Sequence, residues 1–466
     1  MSFVSLRRSA VVAAILLTVG AAPVSASAAP VPLDQWPQFG QTERHLNTNP
    51  AERTFNIGNV GKLETRFVAH VGENNLTEGG PVVANGVMYV VDFDGRLSAF
   101  KAAGCGAATC EPLWRGQAEN DMTSTPAVAG GLVLIAAADH FLYAFPAAGC
   151  GAATCKPRWR GQLADASIDS SVAVAGNVAY VGDFSGHLYA FALQGCGAAV
   201  CKPLWTGVGE PNELFGAPAV GNGFVYVSTF LSTPDLFTGR LLAFRIAGCV
   251  AGPAAVCKPA WTADIGGPAD RTGSPTVAGD TVFVGSTTLF GEGENTDFHL
   301  FAFAAAGCGA AVCKPLRAYD TGDGGTLGTP AVVGNVVYAT TQDTPDPNTI
   351  GVVAAYPAKG CGAARCAPLW TGVNFAAGFS SSPVVVNGVV FVGKGPASGF
   401  PVDAGLYAFN AAGCGQIVCR DIGFHQLGLE QGYLGSPLAV TGGLIYMASN
   451  DNTVQHTNVY AIGLPT

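Results

Sequence analysis

The fourteen cysteines are the residues of this chain with the most chemistry in them, and none stands alone. They form seven pairs: Cys105/Cys110, Cys150/Cys155, Cys196/Cys201, Cys249/Cys257, Cys308/Cys313, Cys361/Cys366 and Cys414/Cys419. Each pair sits in a recurring phrase such as Gly-Cys-Gly-Ala-Ala-Thr-Cys-Lys-Pro-Arg-Trp at 149–159. Such pairs could clamp a metal, run thiol–disulfide exchange or staple a loop. A metal clamp needs converging ligands, usually four. Here each pair lies a whole repeat from the next, with no histidine at ligand spacing. Redox chemistry favours Cys-x-x-Cys at a helix N-terminus, which is absent. A staple needs only a hairpin and an oxidising compartment, so the pattern favours structural disulfides and no metal. A bridge closing so short a loop contributes roughly 2 kcal/mol.

The N-terminus supplies the compartment. Arg7 and Arg8 precede an apolar run from Ala10 to Ala22, and Ala26-Ser27-Ala28 reads as a small-x-small cleavage site. Residues 1–28 are expected to be a signal peptide, and the protein to be secreted or held in the cell envelope. No later stretch has eighteen unbroken apolar residues, so no membrane span is expected. The net charge is −9 and only 12% of residues are charged. That excludes a nucleic-acid binder, which needs a basic face, and argues against an anionic membrane surface. No phosphate loop, dinucleotide fingerprint or serine nucleophile elbow occurs.

The elements that carry the cysteines repeat. A phrase of two small residues, proline, a valine-rich run and a glycine turn occurs eight times. Its proline, or Val172 in its place, falls at 81, 126, 172, 218, 275, 330, 383 and 437. Short apolar runs bounded by Gly, Asp, Asn and Pro follow each time. Repeats of this length predict a single all-β, eight-bladed β-propeller of four-stranded blades over 61–466, as a monomer, after a lead-in segment at 29–60. Each cysteine phrase falls between the third and outer strands, at a hairpin turn on the rim. The eighth unit ends after its third strand, at the C-terminus. Leu63–His70, ahead of the first unit, stands in an outer-strand position and is expected to complete blade eight. Trp114, Trp159, Trp205, Trp261 and Trp370 each follow a cysteine pair by four residues and are expected to dock one blade on the next. Arg317 replaces this tryptophan once, so that contact should differ.

A site on such a frame belongs to the loops between blades and between second and third strands, which share one face. These loops carry many acids. Glu78, Asp121, Asp169, Glu213 and Asp270 are candidate ligand-face residues, with Arg271 and Tyr433 beside them. Convergent carboxylates could hold calcium, and acids with aromatics could hold a polyol or sugar. A solvated acidic rim is the alternative.

The repeat unit resembles that of pyrroloquinoline-quinone (PQQ) type propellers. Residues 36–67, WPQFGQTERHLNTNPAERTFNIGNVGKLETRF, look like the N-terminal segment of PQQ-dependent alcohol dehydrogenases. The resemblance extends over 36–466. It implies two functions. One is a non-catalytic exported module that binds a protein, glycan or small polyol through its loop face. The other is a quinoprotein dehydrogenase using PQQ and calcium on alcohols or sugars. Those dehydrogenases carry two adjacent cysteines against the quinone, and this chain has no Cys-Cys dipeptide. The same repeat also builds a scaffold of outer-membrane protein assembly.

Overall fold

Turn chemistry sets out each blade. In blade two, Ala127–Ala129 is the inner strand, and Gly130-Gly131 reverses the chain into the second strand, Leu132–Ala137. Gly131 lies at φ 77°, the left-handed region that a tight hairpin requires. Phe141–Pro146 and Trp159–Gln162 follow as third and outer strands. Pairing is antiparallel, with Leu134 and Trp159 both opposite Ala144. Leu132–Ala137 is buried along its whole length, because a neighbouring blade covers each face of the sheet.

Eight such sheets form an all-β, eight-bladed propeller. The computed structural model describes residues 34–73, 79–165, 170–210, 213–233, 236–246, 255–265, 271–287, 299–321, 328–340, 351–363, 365–373, 381–394, 405–427, 432–433, 436–451 and 456–466. Among these, the one helical element is a short 3-10 turn, Val60–Lys62. Glu64–Glu73 pairs antiparallel with the C-terminal strand His456–Gly463, from Glu64 opposite Gly463 to Glu73 opposite His456. Both ends of the chain therefore share blade eight, and no sheet edge is left open between them.

The core lies between blades. Leu134, Leu142 and Trp159 of blade two pack with Val181, Tyr189 and Phe191 of blade three. Second-strand tyrosines add a polar tie. The Tyr89 hydroxyl donates to the Ala147 carbonyl of the next blade at 2.8 Å, and Tyr226 does the same to Ala305. Tyr446 makes this bond to Ala102 across the closing seam at 2.9 Å.

The cysteines pair as the spacing predicts. Cys105–Cys110, Cys150–Cys155, Cys196–Cys201, Cys308–Cys313, Cys361–Cys366 and Cys414–Cys419 are disulfides with Cα atoms 5.6–5.7 Å apart. Cys257 is also disulfide-bonded, and Cys249 lies outside the described residues. The staples lie between the third and outer strands as expected, and the structure adds that the second cysteine is buried there. The first cysteine of each of the six pairs is exposed, but Cys110, Cys313 and Cys366 are buried, as are Cys155, Cys201 and Cys419. Cys110, Cys313 and Cys366 each belong to a hydrophobic cluster between blades. Their backbone leaves the turn to pair with the preceding blade, whose outer strand offers a free parallel edge. Cys110 lies opposite Ala69 of blade eight, and Cys366 lies opposite Tyr319. The Cys313 N–H donates to the Thr262 carbonyl at 2.7 Å, beside the bridge between Thr262 and Val312. Cys155 lies opposite Gly116, Cys201 opposite Gly161 and Cys419 opposite Gly372. The physical reason is that a free sheet edge and an apolar sulfur both gain by leaving water.

Each hairpin therefore latches one blade to another. The expected tryptophan docking belongs to the same latch. A Cβ on Gly149 would stand 2.8 Å from the Trp114 ring, and Gly195 meets Trp159 in the same way. Under Gly360 the indole is replaced by the stem of Arg317, whose guanidinium donates to the Ala358 carbonyl at 3.0 Å. Blade eight has no cysteines. In place of its staple, the Val60–Lys62 turn sits against the outer strand of blade seven, Gly423–Gln426.

Alternating strand direction gives the disc two faces. The first-to-second turns and the stapled hairpins share one, here called the turn face. The loops between second and third strands and those between blades share the other, the loop face.

Candidate functional site

The axis of the propeller is where all eight blades meet, so its chemistry is set by the inner strands. Each inner strand is three residues long, and its outer residues pair with the second strand. The N–H and C=O of the middle residue then point into the channel, as on any sheet edge. The middle residue is valine in all eight: Val83, Val128, Val174, Val220, Val277, Val332, Val385 and Val440.

One segment reaches all eight. Trp36 exchanges two bonds with Val83, and Pro37 accepts from Val128 at 2.7 Å. Gln38 accepts from Val174 through Oε1 at 2.8 Å. The carbonyls of Glu43, Arg44, Leu46 and Asn47 accept from Val220, Val277, Val332 and Val385. Asn49 Nδ2 donates to Val440 at 3.0 Å. Residues 36–49 thus visit blades one to eight in order and form an axle inside the ring. The tight circuit needs left-handed backbone, found at Gln41, His45 and Asn47. His45 is fully buried, with Nδ1 3.0 Å from the Pro275 carbonyl, and burial pushes its pKa down to about 4. Its neutral ring donates that bond. The segment leaves by the turn face, where Glu52 Oε2 accepts from Gly443 at 2.9 Å.

Nearer the loop face, the small residues before each inner strand tie blade to blade. Thr125 Oγ1 accepts from Gly80, Ser171 Oγ accepts from Thr125, and Ser382 Oγ accepts from Thr329, at 2.9–3.0 Å. A Cβ on Gly79 would stand 2.4 Å from the Ser124 carbonyl oxygen. This explains the small-small-proline phrase: the residues must be small to fit and polar to bridge.

The candidate ligand residues fall into three groups. Glu78, Asp169 and Asp270 lie outside the described residues. Arg271 and Tyr433 are placed by backbone only, in the short strands Arg271–Thr272 and Gly432–Tyr433. Asp121 is half-buried on the loop between blades one and two, and its carbonyl accepts from Ala138 at 3.0 Å. Glu213 is buried on the strand Glu213–Phe215. Its carboxylate takes Arg240 at 2.9 Å, Thr229 at 3.0 Å and the Glu210 N–H at 2.8 Å. Those bonds engage both oxygens with the protein itself. Among the described residues, no three His, Cys, Asp or Glu side chains are grouped to hold a metal ion, and no cysteine is free. The sulfurs of Cys110, Cys313 and Cys366 lie under the turn face, at the far end of their blades from these acids.

Sequence reasoning passed over two loop-face acids. Asp92 and Asp183 open the second-to-third turns of blades one and three, and both are fully buried. Asp183 accepts from Tyr189 at 2.7 Å and pairs with His187 Nδ1 at 3.1 Å. The hydrogen bond to Asp183 holds the His187 pKa above its ordinary value. Blade one has Ser98 where blade three has Tyr189, and Asp92 Oδ2 has no hydrogen-bond partner among the described residues. Burial pushes the Asp92 pKa up to about 6. The signal was present as Asp-Phe-Asp-Gly and Asp-Phe-Ser-Gly, an aspartate two residues before a polar turn.

The family model described as outer membrane protein assembly factor BamB, a PQQ-like repeat model, matches residues 62–306, more than half of the chain. The chain belongs to this family. Solved structures share the fold of this PQQ-like propeller at low identity. BamB from Moraxella catarrhalis is 15% identical with a TM-score of 0.55, over 85% of this chain and 97% of that one. Quinohemoprotein alcohol dehydrogenase from Comamonas testosteroni is 13% identical with a TM-score of 0.60, over 93% and 82%. A europium-containing methanol dehydrogenase is 12% identical with a TM-score of 0.60, over 93% and 98%. A search of curated proteins by sequence gives no match.

Proposed function

We propose that the protein is an exported, non-catalytic PQQ-like propeller that binds a partner, most simply another protein, through its loop face. The observation that carries this reading is the channel itself. Its described wall is an axle of backbone bonds beneath a belt of Gly, Ser and Thr that hydrogen-bond one another. Most of the belt's described polar groups bond one another, although Ser124 Oγ is buried without a hydrogen-bond partner, and groups satisfied within the protein offer little to a small molecule. Among the described residues no three carboxylates are grouped to hold calcium, and the sequence has no adjacent cysteines to set against a quinone. The disulfides suit an exported protein, and the BamB description of the family suits a protein partner.

A PQQ- and calcium-dependent dehydrogenase is the second reading, favoured by the lead-in segment that resembles those enzymes. The axle gives that segment a structural role in either case. The test is a titration of the oxidised protein with PQQ, with and without calcium, following thermal stability and dye-linked oxidation of alcohols and sugars. Neither stabilisation nor turnover is expected. A calcium-dependent rise in Tm accompanied by turnover would sink the binding-module reading.

A further inference from the structure

Each stapled hairpin closes the outer edge of the preceding blade, and the ring has eight such edges for seven hairpins. The outer strands of blades eight, one, two, three, five and six carry the short strand of the next hairpin on their free side. Blade four takes its hairpin through the bridge between Thr262 and Val312. Blade eight has no hairpin to give, so the edge left over is that of blade seven. Its sheet ends at Gly423–Gln426, and among the described residues nothing pairs with the outer side of that strand.

The register shows which groups are left. Phe424 lies opposite Tyr407 as Arg160 lies opposite Tyr143. In the latched blades this position turns its N–H outward: Arg160 donates to Ala199 at 2.9 Å, Thr206 to Ala255 at 2.9 Å and Thr371 to Ile417 at 2.7 Å. Its carbonyl accepts from the second cysteine, as Thr262 does from Cys313 at 2.7 Å. Phe424 presents the same two groups, and no described residue meets them. It is 36% exposed and is the one aromatic among the exposed large hydrophobics described. The lead-in does not close this edge. Its Val60–Lys62 turn packs on a face of the strand, where a Cβ on Gly423 would stand 2.6 Å from the Val60 carbonyl oxygen. Thr65 Oγ1 meets His425 Nε2 on that same face at 2.9 Å. The bulk of His425 does not forbid a latch, since Cys366 pairs opposite Tyr319 at the equivalent register.

We propose that the outer edge of blade seven is a docking site for an extended segment of a partner protein, added as a parallel strand in the register of the missing hairpin. Main-chain bonds to Phe424 hold it, as in other cases of strand addition. The hairpins show what fits. An outward residue stands opposite position 424, as Val200 and Val418 do on their own blades, and a small apolar residue follows it inward in the place of the cysteine. Parallel addition separates this partner from a second copy, because two such edges related by a two-fold axis meet antiparallel. The edge lies on the rim, so the inference stands apart from the loop-face reading.

The test uses the oxidised full chain and a fluorescent, disulfide-closed peptide of residues 195–205, the hairpin of blade three, at up to millimolar concentration. Saturable binding is expected. Phe424→Pro should weaken it roughly tenfold, because proline removes the outward N–H while an edge strand can still hold it; a thermal melt checks that the variant folds. On the unsubstituted protein, hydrogen exchange at the Phe424 amide should slow when peptide is added, and exchange at the already latched Arg160 amide should not. No binding, equal binding by Phe424→Pro, or unchanged exchange at Phe424 would overturn the proposal. So would dimerisation in sedimentation velocity that Phe424→Pro abolishes, which would give the edge to a second copy.

Discussion

The two faces of this propeller are built from the same strands and held by different forces. On the turn face, disulfides, indoles and backbone bonds join the blades, and charged groups take little part. On the loop face, hydroxyl bridges do the joining, while buried aspartates and the Glu213–Arg240 pair hold loops within single blades. One repeat thus carries two energetic regimes. The turn face should respond to truncation and reduction, the loop face to charge and pH.

The largest expected effect tests the turn face. Trp159→Ala empties a buried latch and should cost about 3–5 kcal/mol, measured by denaturant unfolding, with little dependence on salt. A cost under about 1 kcal/mol would mean that the latch adds nothing. Next is Glu213→Ala, which opens a buried cavity on the loop face and leaves Arg240 only the longer 3.9 Å contact with Glu210; it should cost about 3 kcal/mol. A neutral effect would remove the contrast from that side.

The pH profile sharpens the comparison, because the axle and the loop face pull in opposite directions. Burial lowers the His45 pKa from 6.5 to about 4. Between those values the unfolded chain binds the extra proton, so stability falls as pH falls, by about 3 kcal/mol in all. Burial raises the Asp92 pKa from 3.8 to about 6. Between those values the folded chain binds the extra proton, so stability rises as pH falls, by a similar amount. The two offset over pH 4 to 6. Asp92→Asn should unmask a steep loss of Tm on acidification, and an unchanged profile would contradict the assignment. A smaller effect comes from Cys196→Ser with Cys201→Ser, which opens one staple at a cost of roughly 2 kcal/mol, read from the shift in denaturant midpoint. Smallest is Glu119→Ala, which breaks the exposed pair with Arg160 at 3.2 Å and should cost less than about 1 kcal/mol, vanishing at high salt.

Much of this was legible in the sequence, for local reasons. Glycine turns, alternating valines and cysteines five residues apart each fix structure within a dozen residues, so the blades and their staples could be read directly. The fit of Trp159 under Gly195 was readable as a repeat position, though not as a contact. Cys110, Cys313 and Cys366 read as turn residues, because the strand edge that takes each of them inside belongs to a blade some forty or more residues earlier, or, for Cys110, to the closing strand at 64–73. The candidate site was far less legible. Glu213 looks in the sequence like any loop acid, yet Arg240 and Thr229 draw it inside, from 27 and 16 residues away. Asp92 and Asp183 share a turn motif, and only a neighbour at 98 or 189 decides whether the carboxylate is satisfied.

The sequence by itself determined the number of blades, the order of strands, the pairing of cysteines and the need for an N-terminal strand to complete blade eight. These rest on short-range backbone preferences and on a repeat count. Only the tertiary structure decided that each staple belongs to the preceding blade as much as to its own, and that residues 36–49 run through the ring as an axle. Such facts depend on edges and ends meeting across eight blades, and a strand's free N–H carries no mark in the sequence of what will come to satisfy it.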